Sequence, residues 1–282
     1  MSTKKVVRNI LVTGGNAGIG LALCRQLAVD KGCHVYMGTR SRERGEKGLK
    51  EITEKYPHAL VDLVEIDVGK DESVHAAAKS LKSKGVTLYA LVNNAAVGFA
   101  VKTSREELIN TNFLGPKRVS EAFVGLIDPK EGRIVNVSSG AASGWLRDQS
   151  AKIKDMFSSL DTSWDDLKKS VLSLAPTSTQ NGYGLSKAAL CCYTMQQGKK
   201  WPNLKCTSLT PGFIQTKMTA NMGATKKPDE ATVSYMRCLF GDVRSGHYYG
   251  SDGLRSPLTV CRDPGTPEYG GEKSPDPRKY NR

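Results

Sequence analysis

A glycine-rich segment separates a predicted β-strand from a predicted α-helix near the start of the chain. Residues 6–12 form a short apolar run, and the pattern from Gly18 onward puts Leu23 and Leu27 on one helix face. Residues 13–20 between them read Thr-Gly-Gly-Asn-Ala-Gly-Ile-Gly. Glycines at such a junction let the backbone approach a pyrophosphate, which unpaired N–H groups at the helix start can hold. This order favours a nucleotide site over a glycine turn without a ligand.

The remainder of the chain alternates strand-like and helix-like segments, which is typical of an α/β domain with a parallel sheet. The 282 residues suffice for one large domain, predicted here over residues 1–262, with a flexible tail at 263–282 that is rich in proline, glycine and charge. A helical insertion is expected at 140–180. The further strands are predicted at 34–39, 60–66, 88–92, 132–139, 205–209 and 246–250.

Composition limits the classes of protein to which the chain can belong. It carries 41 Lys and Arg against 28 Asp and Glu, a formal charge of +13, but the basic residues are mixed with acidic ones. That mixing favours steering of an anionic cofactor over nucleic-acid binding. No apolar run approaches the roughly 18 residues of a membrane span. The seven cysteines lack the spacing of a disulfide framework or a zinc site, so we expect reduced thiols, a cytoplasmic location and no metal.

The end of the second predicted strand bears on which dinucleotide would bind. An NAD site usually has a carboxylate there to accept from the ribose hydroxyls, whereas a 2′-phosphate needs arginine. Arg40 and Arg42 follow the strand, and no carboxylate stands at its end. These residues predict NADP(H), with a merely solvated face as the alternative. After the third strand, Asp67 could reach an adenine amino group or cap the following helix.

Polar side chains follow the fourth and fifth predicted strands, at the edge where open α/β sheets bind ligands. Asn93 and Asn94 follow strand 88–92, and their amides could brace the strand ends beneath a cofactor. Strand 132–139 ends in two serines, which makes Ser139 well placed for chemistry. Ordinary hydrogen bonding at a strand end is the alternative for that serine.

Residues 105–126 are predicted to form one long helix with Asn112 in its middle. Gly115 and Pro116 follow this asparagine. Because proline lacks a backbone donor, we expect the hydrogen bonding of the helix to be disturbed at this point.

A tyrosine and a lysine stand four residues apart in the segment 181–187, Asn-Gly-Tyr-Gly-Leu-Ser-Lys. On a helix, that spacing places Tyr183 and Lys187 on the same face. Such a pair is weak evidence by itself, since most pairs of this kind are incidental neighbours. The nucleotide turn and the serine upstream make a catalytic interpretation the better one.

Together these motifs resemble the short-chain dehydrogenase/reductase family. The glycine turn, residues 93–96 (Asn-Asn-Ala-Ala), Asn112, Ser139 and the Tyr183/Lys187 pair stand in that family's order, over about residues 6–255. The resemblance implies a Rossmann-type doubly wound parallel sheet and a catalytic set of Asn112, Ser139, Tyr183 and Lys187. It also implies cofactor contacts from Gly14, Asn16, Ala17, Gly18, Ile19, Gly20, Arg40, Arg42, Asp67, Val68, Asn94, Ala95, Tyr183, Lys187, Pro211, Gly212, Ile214 and Thr216.

Within that family the chain looks most like the NADPH-dependent carbonyl reductases. Thr39-Arg40 after the second strand and the long interval between Ser139 and Tyr183 carry this likeness. The extra helical segment implies a monomer, because it would cover the face that other members use to dimerise. Ala17 stands where a basic residue commonly contacts the 2′-phosphate, which leaves that contact to the two arginines. Substrate contacts are expected from Ser139, Trp145, Tyr183, Phe213 and Met218. Trp145, Phe213 and Met218 could equally lie in the core or on the surface without contacting substrate.

The activity that this resemblance implies is NADPH-dependent reduction of a small ketone, aldehyde or quinone, with Tyr183 donating the proton. The same site could oxidise an alcohol or reduce a C=C bond. A protein of another class, a catalytically silent NADP-binding regulator, is disfavoured because it would have no reason to keep the phenol and its lysine. No nucleic-acid or membrane partner is expected.

Overall fold

Short runs of buried apolar residues form the strands of one sheet. The computed structural model describes residues 7–98, 103–174, 179–260 and 262–271, without the side chains of 179–181. Within these ranges seven parallel strands lie in the order β3-β2-β1-β4-β5-β6-β7. They are β1 Asn9–Thr13, β2 His34–Thr39, β3 Val61–Glu65, β4 Ala90–Asn93, β5 Arg133–Val137, β6 Lys205–Leu209 and β7 Tyr248–Tyr249. The strand order reverses between β1 and β4, which makes this a Rossmann-type doubly wound sheet with its ligand crevice at that switch point.

Helices cover both faces of the sheet. Alternate residues of a strand point to opposite faces, so Val12 enters the core beneath one layer and Leu11 the core beneath the other. A third apolar cluster surrounds the long helix α9 and includes Tyr183. The helices are α1 Gly18–Val29, α2 Arg42–Lys55, α3 Asp71–Ser83, α4 Arg105–Ile109, α5 Gly115–Phe123, α6 Gly140–Arg147, α7 Ala151–Ser158, α8 Trp164–Ser173, α9 Thr179–Lys200 and α10 Val233–Phe240.

The predicted helical insertion is formed by α6, α7 and α8. Ser163 caps α8, because its hydroxyl accepts a hydrogen bond from the Asp166 N–H at 3.1 Å. Phe157 from α7 and Leu167 and Val171 from α8 are fully buried against α9. Burial of these side chains ties the insertion to the helix that carries Tyr183.

The helix predicted at 105–126 is not one continuous helix with a local disturbance of its hydrogen bonds. It divides into α4, a wider π-type turn at Asn110–Leu114, α5 and a short 3-10 turn at Val124–Leu126. Pro116 has no N–H to donate to the Asn112 carbonyl four residues earlier, so the regular α-helical ladder cannot continue there. The prediction of one continuous helix is therefore wrong, and the break lies at Asn112.

The last described residues contact the body of the domain. Arg262 is buried and its guanidinium pairs with Asp252. Tyr269 donates its backbone N–H to the Arg255 carbonyl at 3.1 Å. The predicted domain boundary at residue 262 stays a prediction, because residues 272–282 of the expected tail lie outside the described ranges. No helix of the described residues is long and apolar enough to cross a membrane.

Candidate active site

The glycine turn joins β1 to α1 in a conformation that needs glycine. Gly14 and Gly18 have φ values of +65° and +54°, in the left-handed region. At Gly20 an added Cβ would lie 2.2 Å from the Gly14 carbonyl oxygen, so the turn and the helix pack too closely for a side chain. Ala17 precedes α1, and none of the described side chains caps that helix. The N–H groups of its first turn are thus available to an anion, and the turn is exposed at Ala17 and Gly18.

Hydrogen bonds between Thr13, the last residue of β1, and residues 94–95 after β4 brace this turn. The Thr13 hydroxyl accepts hydrogen bonds from the Asn94 and Ala95 N–H groups, at 3.0 Å each. The Asn94 side-chain amide donates to the Thr13 carbonyl at 2.9 Å, and its oxygen accepts from the Tyr235 hydroxyl at 3.0 Å. Sequence reasoning expected Asn94 here but missed Thr13 and Tyr235. The position of Thr13 directly before the glycines was an available signal, whereas nothing near Tyr235 in the sequence indicated its role.

The two arginines predicted to select NADP(H) lie at the carboxyl end of β2 and are exposed. The Arg40 guanidinium is 3.9 Å from the Glu107 carboxylate, and 53% of its side chain is accessible. Arg42 begins α2 and its Nε donates to Glu46 at 2.9 Å, one turn along the helix. Both guanidiniums therefore have carboxylate neighbours that a phosphate would have to displace or share.

Asp67 and Val68 follow β3 at the same edge of the sheet. The Asp67 carboxylate accepts the Gly69 N–H at 3.0 Å, and the residue that precedes α3 is Lys70. Asp67 thus closes a turn before the helix and does not cap the helix itself, which removes the alternative role considered for it. Val68 is buried, and its carbonyl accepts from Arg118.

Three of the predicted catalytic side chains come together where β5 ends against α9. Ser139 immediately precedes α6, and its hydroxyl forms a hydrogen bond with the phenol of Tyr183. Lys187 lies one turn farther along α9, with its Nζ 5.6 Å from the centroid of the Tyr183 ring. That Nζ donates to the carbonyl of Val137, the last residue of β5, at 2.7 Å. Tyr183 and Lys187 are 7% and 2% exposed, so the pair is held in a nearly dry site.

Burial pushes both members of this pair toward their neutral forms. It raises the pKa of Tyr183 to about 12, and the hydrogen bond from Ser139 opposes that change only in part. Burial also lowers the pKa of Lys187 to about 8. The phenol is accordingly protonated at neutral pH and able to give up a proton. Sequence reasoning expected Lys187 and an oxidised nicotinamide to lower the tyrosine pKa; in the chain alone burial raises that pKa instead.

Asn112 lies in the wide turn between α4 and α5 and is fully buried. Its side-chain oxygen accepts the Val97 N–H at 2.9 Å, and its amide nitrogen donates to the Val97 carbonyl at 2.7 Å. The same nitrogen lies 3.3 Å from the Ser186 hydroxyl on α9. The side chain thus joins the segment after β4 to α9, while Pro116 leaves the Asn112 carbonyl without its usual α-helical donor.

The loop after β6 closes the other side of the site. Gly212 has a φ of +91°, and Ile214 is buried. An added Cβ at Gly18 would lie 3.5 Å from Cγ2 of Thr216, which places this loop beside the glycine turn. Thr210, missed by sequence reasoning, ties the loop to Gly140, the residue after Ser139, because its hydroxyl accepts the N–H groups of Gly140 and Gly212 at 3.2 Å each.

Of the residues predicted only as substrate contacts, Met218 borders the Tyr183 phenol, whereas Trp145 packs on another ring and Phe213 is exposed. An added Cβ at Gly98 would lie 2.9 Å from the Tyr183 ring and 3.3 Å from the sulfur of Met218, so Gly98 and Met218 border the phenol. Trp145 packs on Phe157 with ring centroids 5.2 Å apart. Phe213 is 50% exposed and has space around it. Pro211 lies half-buried between β6 and this exposed ring.

A buried amide network holds α9 to the sheet. The sequence indicated Asn93 as a brace of the strand ends, but not its partners Asn136, Thr194 and Gln197. The Asn93 amide donates to the Asn136 side chain at 2.9 Å, and the Asn136 amide donates to Thr194 and Gln197 on α9 at 2.9 and 2.6 Å. Each residue is at most 3% exposed. Such a network fixes the position of the helix because its members cannot move without leaving buried polar groups unpaired.

The site therefore combines a glycine turn for a dinucleotide with a hydroxyl, phenol and ammonium at the carboxyl edge of a doubly wound sheet, the arrangement of a dinucleotide-dependent oxidoreductase. Among the described residues no group of His, Cys, Asp and Glu could hold a metal ion. The model of the short chain dehydrogenase family matches residues 8–150, about half of the chain. The chain belongs to the short-chain dehydrogenase family.

Similar proteins include the (+)-neomenthol dehydrogenase of Arabidopsis thaliana and carbonyl reductase (NADPH) 1 of Homo sapiens, each 28% identical over 264 residues. These alignments cover 80% and 84% of this chain, and 89% and 93% of the two relatives. Among solved structures, menthone neomenthol reductase from Mentha piperita superposes with a TM-score of 0.71 at 26% identity, covering 88% of this chain and 100% of that one. These alignments cover more of the chain than the family model, which spans residues 8–150.

Proposed function

We propose that this chain reduces a carbonyl group of a small organic molecule to an alcohol with NADPH, and that Tyr183 is the proton donor. The observation that carries the proposal is the buried contact between the Ser139 hydroxyl and the protonated Tyr183 phenol, with Lys187 one turn away. Relatives whose names specify carbonyl or neomenthol chemistry, and NADPH in one case, support the same assignment.

The residues around the glycine turn fit NADP(H). The close approach of Gly20 to Gly14 leaves backbone N–H groups facing the crevice, where a pyrophosphate would be held. Arg40 and Arg42 supply two guanidiniums for a 2′-phosphate at the end of β2. No carboxylate occupies the position just after β2, where an NAD site would need one, which favours the phosphorylated cofactor.

Bound NADPH would supply the hydride. The chain's own contribution is to hold the carbonyl oxygen and to protonate it. Ser139 and Tyr183 would both donate hydrogen bonds to that oxygen, at the point where negative charge develops, and the proton of Tyr183 would then transfer to it. The high pKa of the buried phenol keeps that proton in place until charge forms on the substrate.

Lys187 and Asn112 would serve the tyrosinate left after proton transfer. The Lys187 ammonium lies close enough to the Tyr183 ring to stabilise that negative charge in a site of low dielectric. Asn112 fixes the backbone at Val97 and keeps a carbonyl free of its helical donor. That carbonyl is a natural anchor for a water through which Lys187 could return a proton to Tyr183.

The proposal is tested by the loss of NADPH absorbance when the purified chain is mixed with carbonyl compounds. The panel contains a quinone, an aromatic aldehyde, a monocyclic ketone and a steroid ketone, with NADH in parallel. We expect turnover with at least one compound and a preference for NADPH. A chain that binds NADPH but oxidises it with none of the panel would favour the silent regulator, and turnover of an enone at its C=C bond would favour the alternative reductase chemistry.

We also propose that the protein is a cytoplasmic monomer. The six cysteines in the described ranges are buried and are not joined in disulfides, as expected of a protein from a reducing compartment. Helices α7 and α8 lie over α9, on the face that is expected to be open in dimeric members of the family. Sedimentation equilibrium at micromolar concentration would give the mass of one chain, and a dimer mass would contradict this assignment.

A further inference from the structure

A pocket of about 310 Å³ lies beside β7, the last strand of the sheet, and none of its lining residues belongs to the site around Ser139 and Tyr183. Arg133 begins β5 and donates to the carbonyls of Cys238 and Gly241 at the end of α10, at 2.9 Å each. The pocket residues Asp242 and Arg244 follow directly, so they sit beside the amino ends of the strands. Ser139 follows the other end of β5, a strand that spans roughly 16 Å. The two sites are therefore separate.

Three guanidiniums line this pocket, from Arg237, Arg244 and Arg255. None of the three forms an ion pair with any described residue. Two carboxylates also line it. Glu268 accepts the backbone N–H of Arg255 at 2.9 Å, and Asp242 is exposed. The Arg255 guanidinium lies 4.9 Å from the centroid of the Tyr269 ring, which holds it over the pocket by a cation–π contact.

Two nitrogen atoms of the pocket residues are buried and lack a hydrogen-bond partner in the described part of the chain. They are Nε of Arg237 and Nδ1 of His247. Burial and the charges of Arg255 and Arg244 lower the pKa of His247 to about 4, so the imidazole stays neutral at physiological pH. A buried guanidinium N–H ordinarily has an acceptor, and the described part of the chain provides none for Nε of Arg237; Nδ1 of the neutral imidazole donates or accepts according to its tautomer. An acceptor from outside the chain would complete the site.

We propose that this arginine pocket binds a small phosphate-bearing molecule. Guanidinium groups bind phosphate oxygens through two parallel hydrogen bonds, and three of them facing two carboxylates leave a net positive site. A phosphate dianion balances that charge better than a single carboxylate would. The volume is at the lower end of small-molecule pockets, which suits a phosphate with a short organic group. The phenol of Tyr249, which accepts the Arg244 N–H at 2.9 Å, closes one wall.

The test is titration calorimetry of the full chain with inorganic phosphate, glycerol 3-phosphate and acetate at constant ionic strength. Each titration is made with and without saturating NADPH, which would already fill phosphate positions at the glycine turn. We expect one site for both phosphates under both conditions and weaker binding of acetate. Binding that vanishes when NADPH is present, that is equal for acetate, or that is not detected in the millimolar range would overturn the proposal.

Substitutions locate the binding. Arg244→Gln and Arg255→Gln should each weaken phosphate binding about tenfold or more, because each removes a charge-assisted hydrogen bond. Arg147→Gln is the matched control, since Arg147 is exposed and already paired with Asp148 on α6. Arg244 is itself exposed, so its replacement should leave circular dichroism unchanged. Wild-type affinity in both pocket variants, or an equal loss in Arg147→Gln, would refute the assignment.

Discussion

Two regions of the crevice, the Tyr183/Lys187 pair and the Arg40/Arg42 pair, differ in how deeply their side chains are buried. Tyr183 and Lys187 are almost completely buried and joined to Ser139 and the end of β5 by fixed hydrogen bonds. Arg40 and Arg42, at the end of β2, are more than half exposed and paired only with surface carboxylates. A proton donor gains from a dry and rigid site, because electrostatic interactions there are strong. A group that selects among cofactors can remain in solvent, where its contribution is smaller and depends on salt.

The largest expected effect tests the buried side of this comparison. Tyr183→Phe removes the proton but keeps the ring, so turnover of a carbonyl substrate should fall about 10²- to 10⁴-fold. The Kd for NADPH should stay within about twofold, because the phenyl ring still fills the site. Stopped-flow absorbance and fluorescence titration measure the two quantities.

Tyr193→Phe is the matched control, since Tyr193 is also buried on α9 but packs against Trp164. It should retain turnover close to that of the wild type. A Tyr183→Phe variant with more than about a tenth of wild-type turnover would show that another group supplies the proton.

The next largest effect concerns the stability cost of burying the Lys187 ammonium. Its pKa is lowered from 10.5 to about 8 in the folded chain, so unfolding takes up protons between those values. Stability must then rise with pH across this window. Between pH 7.5 and 9.5 the wild type should gain about 2 kcal/mol relative to Lys187→Met, which has no charge to bury.

Urea unfolding of both proteins at several pH values measures that difference. The range stops below pH 10, because ordinary tyrosines begin to ionise there in the unfolded chain while the pKa of Tyr183 is raised to about 12. A difference in unfolding free energy between the two proteins that does not change with pH would mean that Lys187 is fully solvated or stably paired. That result would remove the contrast in burial between the two regions.

A smaller effect is expected on the exposed side. Arg40→Gln should raise the KM for NADPH about three- to tenfold with little change in kcat, because an exposed guanidinium contributes about 1 kcal/mol to binding a phosphate. The change should shrink as salt is added. Lys50→Gln is the control, since Lys50 is an exposed cation farther along α2 that pairs with Glu54. An unchanged ratio of NADPH to NADH efficiency in Arg40→Gln would remove this arginine from cofactor selection.

The smallest effect asks whether Glu107 competes with the cofactor for Arg40. Their charged groups are 3.9 Å apart, so neutralising the carboxylate in Glu107→Gln should free the guanidinium. The KM for NADPH should fall about twofold, the scale of an exposed ion pair. Glu106→Gln, one position earlier in α4, is the control and should leave KM unchanged. An increase in KM for Glu107→Gln would instead indicate that Glu107 positions Arg40.

Most of the secondary structure follows from local pattern. The strands at His34–Thr39 and Lys205–Leu209 have the bounds that the sequence predicts. The helix predicted at 105–126 is wrong in its continuity, although Gly115 and Pro116 mark where it is interrupted. The wide turn around Asn112 needs packing on α9 and Val97 to select it, and that information is not local.

The candidate site was predictable where residues follow strand ends and hidden where they reach it from distant elements. Ser139 and Asn94 follow β5 and β4, so parallel topology alone brings them to one edge. Tyr235 acts through a hydrogen bond to a partner far away in the chain, and its neighbours in sequence carry no signal. Thr210 directly precedes the predicted Pro211–Gly212 loop, but its hydrogen bond with Gly140 is not local. The same reason explains why the partners of Asn93 in the amide network were missed.

The sequence by itself determined the order of strands and helices, the glycine turn, and the spacing of Tyr183 and Lys187 on one helix face. These depend on interactions between residues close in the chain, which a linear pattern records. Tertiary structure decided that burial raises the tyrosine pKa in the chain alone, that Arg40 faces Glu107, and that three arginines meet at the far edge of the sheet. Solvation and electrostatics depend on which groups are neighbours in space, and only the folded chain defines those neighbours.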